Sequence, residues 1–349
     1  MSLRDDFLRE HPDFPLLSVG APERVESFLR ARGWLEPGER VLGSKKAGEG
    51  NMNLTLRVTT DRRRMIVKQA RPWVEKYPDI PAPWDRMDFE QRFYEHVRPI
   101  RGVGDRMPRL LEADTETRTM LLEDLPGARD WTWMYAERGT VGEDVLRDLG
   151  GYLKALHGAT SGQIGSDFTN RAMRALNHQH LFEVPLADDN GVDLERFESG
   201  LETAAAELKA DRVYRKSVSD LGRRYLSDGN CLVHGDYFPG SWLATDKGTY
   251  VIDPEFSFCG DPELDLGMAC GHLALARQSR TQAERLGSEA RGGVKLEPSL
   301  IARYAGIEIM RRLIGVAQLP IPPTDGFRRE MLERSRRAVL EGRLDALWG

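Results

Sequence analysis

The chain has 349 residues, of which 40% are hydrophobic and 30% are charged, and its formal net charge is −5. This length is too great for one ordinary compact core and predicts two packed lobes or domains. Basic residues are interleaved with acidic ones, which argues against nucleic acid as the main partner. The three cysteines have no CxxC spacing and predict reduced thiols. No apolar stretch approaches the roughly eighteen residues that suggest a membrane span, so we expect a cytoplasmic protein without a membrane partner.

Residues 1–124 predict a strand-rich first lobe that is preceded by an N-terminal helix. Runs of β-forming residues lie at 41–46, 53–59, 65–68, 110–111 and 119–122. The turn Gly48-Glu49-Gly50-Asn51 separates the first two runs. Phe89, Phe93 and Val97 stand at helical spacing and predict a helix over 85–97. Three prolines predict a loop over 77–85.

Residues 125–349 predict a larger, mostly helical second lobe. Apolar residues at helical spacing predict helices at 145–156, 197–208, 213–226, 300–313 and 329–347. Two short apolar runs, 231–233 and 250–252, predict a small β-element inside this lobe. The polar segment 278–297 is expected to be mobile. The two lobes together define an α+β fold class.

Two carboxylate-bearing turns follow the two apolar runs of the second lobe. The first is His234-Gly235-Asp236, and the second is Asp253-Pro254-Glu255. A hairpin-like return of the chain would bring the two turns side by side. Phosphoryl transfer needs one carboxylate to orient the attacking hydroxyl and others to hold Mg²⁺ against the phosphates. We therefore assign the first role to Asp236 and the metal to Asp253 and Glu255, which would point the same way in an extended segment.

Each of these features also has a structural interpretation when it is taken alone. Aspartate often caps turns, and only the combination of both turns in this order favours phosphotransfer. Lys68, at the end of a predicted strand, would contact phosphate as a point charge, with Glu90 of the next helix as its partner. An edge-strand lysine and a solvated glutamate are the alternatives. Gly48 and Gly50 would let backbone N–H groups approach phosphates, although the turn is not a Walker A motif.

The order of these motifs resembles the aminoglycoside phosphotransferase and choline kinase superfamily, which has a protein-kinase-like fold. Along the chain, the motifs are the glycine turn, the strand lysine, the helix glutamate, His-Gly-Asp and Asp-Pro-Glu. That superfamily usually has an asparagine five residues after the catalytic aspartate, where this chain has Ser241. The resemblance implies a two-lobe fold and an ATP-dependent phosphotransferase.

Within that superfamily, the chain is most similar to the 5-methylthioribose kinase family. The segments Gly48-Glu49-Gly50-Asn51-Met52-Asn53 and Val67-Lys68-Gln69-Ala70 look like the glycine loop and the lysine strand of that family. Asp85-Arg86, leading to Glu90, looks like the start of its glutamate helix, and Gly240-Ser241 matches its variation at the asparagine position. Arg311-Arg312-Leu313-Ile314-Gly315 resembles its C-terminal arginine pair. The loop 77–84 departs from the family pattern.

The resemblance implies roles for individual residues. ATP would be contacted by Gly48, Gly50, Asn51, Lys68 and Glu90 and, at a hinge beside adenine, by Glu123 and Leu125. Mg²⁺ would bind Asp253 and Glu255, while Asp236, Arg311 and Arg312 would contact the sugar. His234, Ser241 and Asp265 would support the catalytic turn. The resemblance also implies a homodimer.

The two arginines are adjacent on a predicted helix. Neighbouring helical residues point about 100° apart. We therefore expect one arginine to face the site and the other to form a structural ion pair.

Three functions remain open at this point. The first is a pentose kinase that uses ATP to convert 5-methylthioribose or a related 5-deoxypentose to its 1-phosphate. The second is an aminoglycoside, choline or amino-alcohol phosphotransferase, but a cationic acceptor needs an acidic or aromatic site and the arginine pair would repel it. The third is a nucleotide-binding pseudokinase, which is disfavoured because Lys68, Asp236, Asp253 and Glu255 are all present.

Overall fold

The computed structural model describes residues 2–48, 50, 52–137, 139–163, 166–323 and 325–349. Asn51 of the predicted glycine turn therefore lies outside the described residues. The chain divides into two compact units, one made of residues 1–99 and 107–127 and the other of residues 100–106 and 128–349. The boundary that the sequence predicts between the two lobes, at residues 124 and 125, stays a prediction.

The first unit is built on a five-stranded antiparallel sheet with the strand order β1-β2-β3-β7-β6. Alternate residues of β2 are buried, since Leu54, Leu56 and Val58 face a core that also contains Phe28 and Leu29 of α2. This alternation is typical of a strand with one covered face. The elements of this unit are α1 (Leu3–Glu10), α2 (Pro22–Ala31), β1 (Val41–Lys46), β2 (Leu54–Thr60), β3 (Arg64–Gln69), β4 (Trp73–Val74), β5 (Tyr77–Pro81), α3 (Arg86–Val97), β6 (Leu110–Asp114) and β7 (Thr119–Glu123).

The predicted loop over 77–85 is wrong in its first half. Residues Tyr77–Pro81 form β5, which pairs with β4 in a separate two-stranded sheet. Every residue of β5 is exposed. Proline is tolerated on an exposed edge strand because no ladder hydrogen bond is lost there, so the prolines do not prevent this short strand.

The second unit is mostly helical, as the sequence predicts. Helix α8 is buried along its whole length and packs against α10, which in turn packs against α11. The elements are β8 (Arg129–Asp130), α4 (Glu143–Thr160), α5 (Arg171–His178), α6 (Leu201–Ala210), α7 (Arg212–Tyr225), β9 (Cys231–Val233), β10 (Trp242–Thr245), β11 (Gly248–Val251), β12 (Phe258–Gly260), α8 (Glu263–Leu275), α9 (Arg280–Ala290), α10 (Pro298–Ile314) and α11 (Phe327–Glu341). None of the described helices is long and apolar enough to span a membrane.

The expectation that 278–297 is mobile is wrong, because most of this segment is helix α9. The helix begins with a capping box in which Ser279 accepts from the Gln282 backbone and Gln282 accepts from the Ser279 backbone. Ala283, Leu286 and Ala290 form its buried face. A capping box is a sequence-level helix start, so this signal was present although the segment is polar.

The three cysteines are free, as the sequence predicts, and all three are buried. Cys231 and Cys259 lie on the paired strands β9 and β12, and Cys270 lies on α8. Burial raises the pKa of Cys259 to about 11 and that of Cys270 to about 12. Burial also raises the pKa of Cys231, so all three thiols are protonated near neutral pH.

Two adjacent glycines of α4 allow the packing of α4 against α9 to be tested. A Cβ at Gly150 would lie 2.5 Å from Glu289 Cβ and 2.9 Å from the carbonyl oxygen of Leu286, whereas a Cβ at Gly151 would meet nothing within 4 Å. We expect Gly150→Ala to lower the free energy of unfolding by about 1–3 kcal/mol through overpacking. Gly151→Ala should raise it by about 0.5–1 kcal/mol. Urea denaturation measures both values, and equal effects would contradict the close approach.

Candidate functional site

The two predicted carboxylate turns lie against each other in the second unit. The chain between them forms the antiparallel hairpin β10–β11, so the predicted hairpin-like return is present. His234 Nε2 lies 2.9 Å from the carbonyl oxygen of Ile252. Gly235 has φ +81°, and a Cβ there would lie 2.2 Å from the carbonyl oxygen of Phe256. Only glycine fits this position, because both the dihedral and the contact exclude a side chain.

The carboxylate of Asp265, on α8, binds the backbone of the first turn, His234-Gly235-Asp236. Its Oδ2 accepts from the His234 backbone N–H at 2.8 Å, and its Oδ1 accepts from the Gly235 backbone N–H at 2.9 Å. His157 Nε2 lies 3.0 Å from the same Oδ2. Since a carboxylate only accepts, the imidazole donates. The structure thus places Asp265 in the supporting position that the resemblance implied, and it adds His157, which we had not assigned to the site.

Ser241 and Asp236 belong to one closed loop. The Ser241 hydroxyl donates to the main-chain carbonyl oxygen of Asp236 at 3.0 Å. The Ser241 side chain is buried within the short helical turn Pro239–Ser241. It therefore fixes the backbone that carries Asp236.

The second turn differs from the extended segment that we predicted. Asp253 has left-handed dihedrals, φ 61° and ψ 54°, and Pro254–Phe256 form a 3₁₀ turn. Proline is well suited to the first position of such a turn because its φ is fixed and its missing N–H is not needed there. The argument from alternating side chains is therefore wrong for Asp253 and Glu255. Glu255 is buried, and Asp253 is half-buried.

Two asparagines that sequence reasoning missed hold the two turns, and one lies just before α5 while the other lies within it. Asn170 Nδ2 donates to the carbonyl oxygens of Glu255 and Ser257, both at 2.9 Å. Asn177 Nδ2 donates to the Gly235 carbonyl oxygen at 3.4 Å. Asn170 is the N-cap residue just before α5 and has left-handed dihedrals, φ 40° and ψ 45°, whereas Asn177 lies within the helix. No local motif marks them, so only the fold reveals this role.

Both arginines of α10 reach Asp236, so the expectation that only one would face the site is wrong. Arg311 Nη2 lies 3.4 Å from Asp236 Oδ1, and Arg312 Nη2 lies 3.8 Å from the same atom. Both arginines also contact Glu308 Oε1, through Arg311 Nη2 at 2.8 Å and Arg312 Nε at 2.7 Å. Arginine side chains are long, and a shared carboxylate one helical turn away draws both guanidinium groups together.

Glu308 is also hydrogen-bonded to His272, which in turn is hydrogen-bonded to Tyr135, and all three residues are buried. His272 Nε2 lies 2.8 Å from Glu308 Oε1, and the Tyr135 hydroxyl lies 2.6 Å from His272 Nδ1. Burial lowers the pKa of His272 to about 4 against the opposing effect of Glu308. Burial would raise the pKa of Glu308, but Arg311, Arg312 and the His272 hydrogen bond hold it well below its usual range. The imidazole is therefore neutral and the carboxylate ionised at neutral pH.

The residues predicted to contact phosphate lie in the first unit. Lys68 Nζ lies 2.7 Å from Glu90 Oε1, and the exposed fractions of these side chains are 3% and 0%. The structure thus brings this predicted pair together in a buried position. Gly48 has φ +74°, and a Cβ at Gly48 or Gly50 would meet nothing within 4 Å.

Arg86 anchors the chain that follows the glycine turn. Its guanidinium is fully buried and donates to the carbonyl oxygens of Met52 at 2.9 Å and Arg71 at 2.8 Å, and to Asn53 Oδ1 at 2.9 Å. A fully buried guanidinium is stable only when its donors are satisfied. The resemblance had marked Arg86 only as the start of a helix.

The predicted hinge residues lie at the end of β7. Glu123 pairs with Met65 of β3, three residues along that strand from Lys68. The Glu123 carboxylate accepts from Arg109 Nε at 3.2 Å. Leu125 follows in the same unit and is half-buried.

The fold is that of the protein-kinase-like small-molecule kinases. The crystal structure of LicA in complex with AMP matches with a TM-score of 0.55 and 14% sequence identity, covering 93% of this chain and 100% of that chain. The structure of the choline kinase LicA from Streptococcus pneumoniae matches with a TM-score of 0.52 and 13% identity, covering 91% of this chain and 99% of that chain. The predicted fold class is confirmed.

The chain belongs to the phosphotransferase enzyme family, whose sequence model matches residues 44–299. The methylthioribose kinase of Pectobacterium atrosepticum is 29% identical over 270 residues, which are 73% of this chain and 65% of that protein. The methylthioribose kinase of Exiguobacterium sibiricum is 26% identical over 258 residues, 68% of this chain and 62% of that protein. The matched region therefore covers less than two thirds of each relative. The resemblance to the phosphotransferase superfamily and to methylthioribose kinases, noted in the sequence, is confirmed.

The low pKa of His272 predicts a pH dependence of stability. Between its ordinary pKa of 6.5 and its folded pKa of about 4, the unfolded chain binds a proton that the folded chain does not. Stability should therefore fall as the pH drops through this window, by about 1.6 kcal/mol from this group between pH 6.5 and 5. Urea denaturation of the wild type and of His272→Gln at both pH values isolates the contribution of His272 to the pH dependence of stability. Identical pH slopes would contradict it.

The buried Lys68–Glu90 pair predicts an asymmetric response to substitution. Lys68→Met removes the positive charge that lies 2.7 Å from the buried Glu90 carboxylate and should cost about 3–5 kcal/mol of stability. The double variant Lys68→Met, Glu90→Met removes both charges and should recover most of that loss. Urea denaturation tests this, and a double variant less stable than Lys68→Met alone would contradict it.

Proposed function

We propose that the chain transfers the γ-phosphoryl group of ATP to a hydroxyl of a small sugar, most specifically 5-methylthioribose or a related 5-deoxypentose, to give the 1-phosphate. The observation that carries this proposal is the arginine pair at the acceptor aspartate, with Arg311 Nη2 at 3.4 Å and Arg312 Nη2 at 3.8 Å from Asp236 Oδ1. The names of the similar bacterial proteins, methylthioribose kinase, support the same acceptor.

The charges around Asp236 favour a neutral acceptor that carries several hydroxyl groups. Two guanidinium groups lie within 4 Å of the Asp236 carboxylate. Guanidinium donors form directed hydrogen bonds with sugar oxygens. A cationic aminoglycoside or choline would meet like charge here, which costs binding energy. The amine-bearing acceptors of the wider superfamily are therefore the alternative that an experiment must exclude.

Asp236 would act on the acceptor hydroxyl. The hydroxyl oxygen attacks the γ-phosphorus, a new O–P bond forms, and the bond between the γ-phosphorus and the bridging oxygen of ADP breaks. The carboxylate of Asp236 orients the hydroxyl, takes its proton and releases it to solvent. Asp265, Asn177 and Ser241 hold the turn in place, and such positioning supplies much of the rate in phosphoryl transfer.

The second turn fits a divalent cation through its donor chemistry. Asp253 and Glu255 offer two carboxylates, and Mg²⁺ commonly takes one or two carboxylates together with phosphate oxygens. The hydrogen bonds from Asn170 hold the backbone at Glu255 and Ser257. Among the described residues there is no group of three or more His, Cys, Asp or Glu able to hold a metal. When bound, Mg²⁺ would neutralise phosphate charge.

The first unit would supply the contacts to ATP. Lys68, fixed by Glu90, would contact the α- and β-phosphates. Gly48 and Gly50, together with Asn51, would present backbone N–H groups to phosphate oxygens. Glu123 and Leu125 would lie beside adenine. The AMP in the similar LicA structure supports an adenine nucleotide as the ligand, and the homodimer stays a prediction.

The proposal predicts turnover with only one class of acceptor. An ATP-consumption assay over 5-methylthioribose, ribose, kanamycin, spectinomycin, choline and ethanolamine should show activity with the 5-substituted pentose alone. Asp236→Asn keeps the shape of the side chain but removes its charge and should lose at least about two orders of magnitude in kcat. The matched control is Asp246→Asn in the exposed turn between β10 and β11.

Each part of the proposal has its own contradicting result. Turnover of kanamycin or choline without any pentose would overturn the sugar acceptor. Full activity in Asp236→Asn would overturn the role of Asp236. Loss of activity in Asp246→Asn to the same extent would show that the assay reports folding rather than chemistry.

A further inference from the structure

Glu308 lies at the centre of a buried cluster of charges in the second unit. Its Oε1 alone receives three donors, from Arg311 at 2.8 Å, Arg312 at 2.7 Å and His272 at 2.8 Å. The residue is fully buried. A buried carboxylate is costly unless nearby positive charge compensates it. The positive charge and the donors that compensate this carboxylate are thus concentrated on one oxygen atom, Oε1.

The same guanidinium groups serve two carboxylates. Glu308 takes the shorter contacts, and Asp236 lies farther from both arginines, at 3.4 and 3.8 Å. Glu308 therefore competes with Asp236 for the arginines. Without the Glu308 charge, the two guanidinium groups would have Asp236 as their one anionic partner within this cluster, and they would draw its carboxylate into closer ion pairs than the present 3.4 and 3.8 Å.

The hydrogen bonds behind Glu308 have one fixed direction. Burial raises the pKa of Tyr135 well above its ordinary value, so its hydroxyl keeps its proton. A neutral imidazole has one donor and one acceptor nitrogen. Since Glu308 only accepts, His272 Nε2 donates to it, and His272 Nδ1 accepts from Tyr135. In the series Tyr135–His272–Glu308, each hydrogen bond is therefore donated in the direction of the Glu308 carboxylate.

A ring contact joins this cluster to the catalytic turn. The Arg312 guanidinium lies 4.6 Å from the centroid of the Phe238 ring, and the Phe238 and His272 rings are 5.5 Å apart. Phe238 follows Asp236 by two residues. A cation over an aromatic face is attracted by the ring. The Arg312 guanidinium is therefore oriented both by Phe238 of the catalytic turn and by Glu308.

We infer that Glu308 is a positioning residue for phosphoryl transfer, held by Tyr135 and His272, and that it keeps the arginine pair from capturing the carboxylate of Asp236. The inference rests on the proposed function, because it assigns Asp236 a role towards the acceptor hydroxyl. In this arrangement the arginines stay available to acceptor oxygens and Asp236 stays available to the hydroxyl proton.

The kinetic test uses Glu308→Gln, which keeps the size of the side chain and removes its charge. We expect kcat for the pentose to fall at least about tenfold, while KM for ATP changes by less than about twofold. Glu308→Asp restores the charge and should recover part of kcat. The matched control is Glu198→Gln, since Glu198 is also a buried carboxylate that pairs with an arginine, Arg329, and its kcat should stay near that of the wild type.

A second measurement needs no substrate. Tyr135→Phe, Glu308→Gln and the double variant are compared by their urea midpoints, and the double shift should differ from the sum of the single shifts because the ends are coupled through His272. A wild-type kcat kept in Glu308→Gln, no recovery in Glu308→Asp, an equal loss of kcat in Glu198→Gln, or additive midpoints would overturn the inference. If the wild type turns over no acceptor, the proposed function fails. The urea midpoints alone then decide whether Tyr135 and Glu308 are coupled through His272.

Discussion

The geometry of the second unit depends on one buried carboxylate, Asp265, which accepts two consecutive backbone N–H groups. Two adjacent amides can point at one carboxylate only if the chain between them turns sharply, and Gly235 supplies that turn with φ +81°. Hydrogen bonds to an ionised acceptor are about twice as strong as neutral ones. The contact therefore locks the turn onto α8. Because α10 packs against α8, the same contact also sets where the arginines of α10 meet Asp236.

Much of the fold could be predicted from local patterns. Strand β1 and the small β-element around 231–251 followed from short runs of β-forming residues, and α3, α4, α7 and α10 followed from helical spacing. Helix α8 was missed because it is buried on every side, so it lacks the amphipathic period that marks a surface helix. Helix α9 was missed because its exposed face makes the segment polar, although its capping box was visible.

Residues of the candidate site could be proposed from the sequence where they lie together in a short motif, but contacts between residues far apart in the sequence were missed. His-Gly-Asp, Asp-Pro-Glu and the arginine pair are local patterns. Glu308 and His272 are 36 residues apart, and Tyr135 and His272 are 137 apart. No pattern in the sequence encodes such a meeting. The left-handed conformation of Asp253 was also missed, and so were the hydrogen bonds that Asn170 donates to the carbonyl oxygens of Glu255 and Ser257.

The protonated, buried thiols of Cys231, Cys259 and Cys270 have a practical consequence. Alkylating reagents attack the thiolate rather than the thiol, and the raised pKa values of Cys259 and Cys270 keep that form scarce near neutral pH. The native protein should therefore resist maleimide labelling without any cysteine being removed. A single cysteine introduced on the exposed surface would then accept a fluorophore selectively, so that spectroscopy could follow one chosen position in an otherwise unaltered chain.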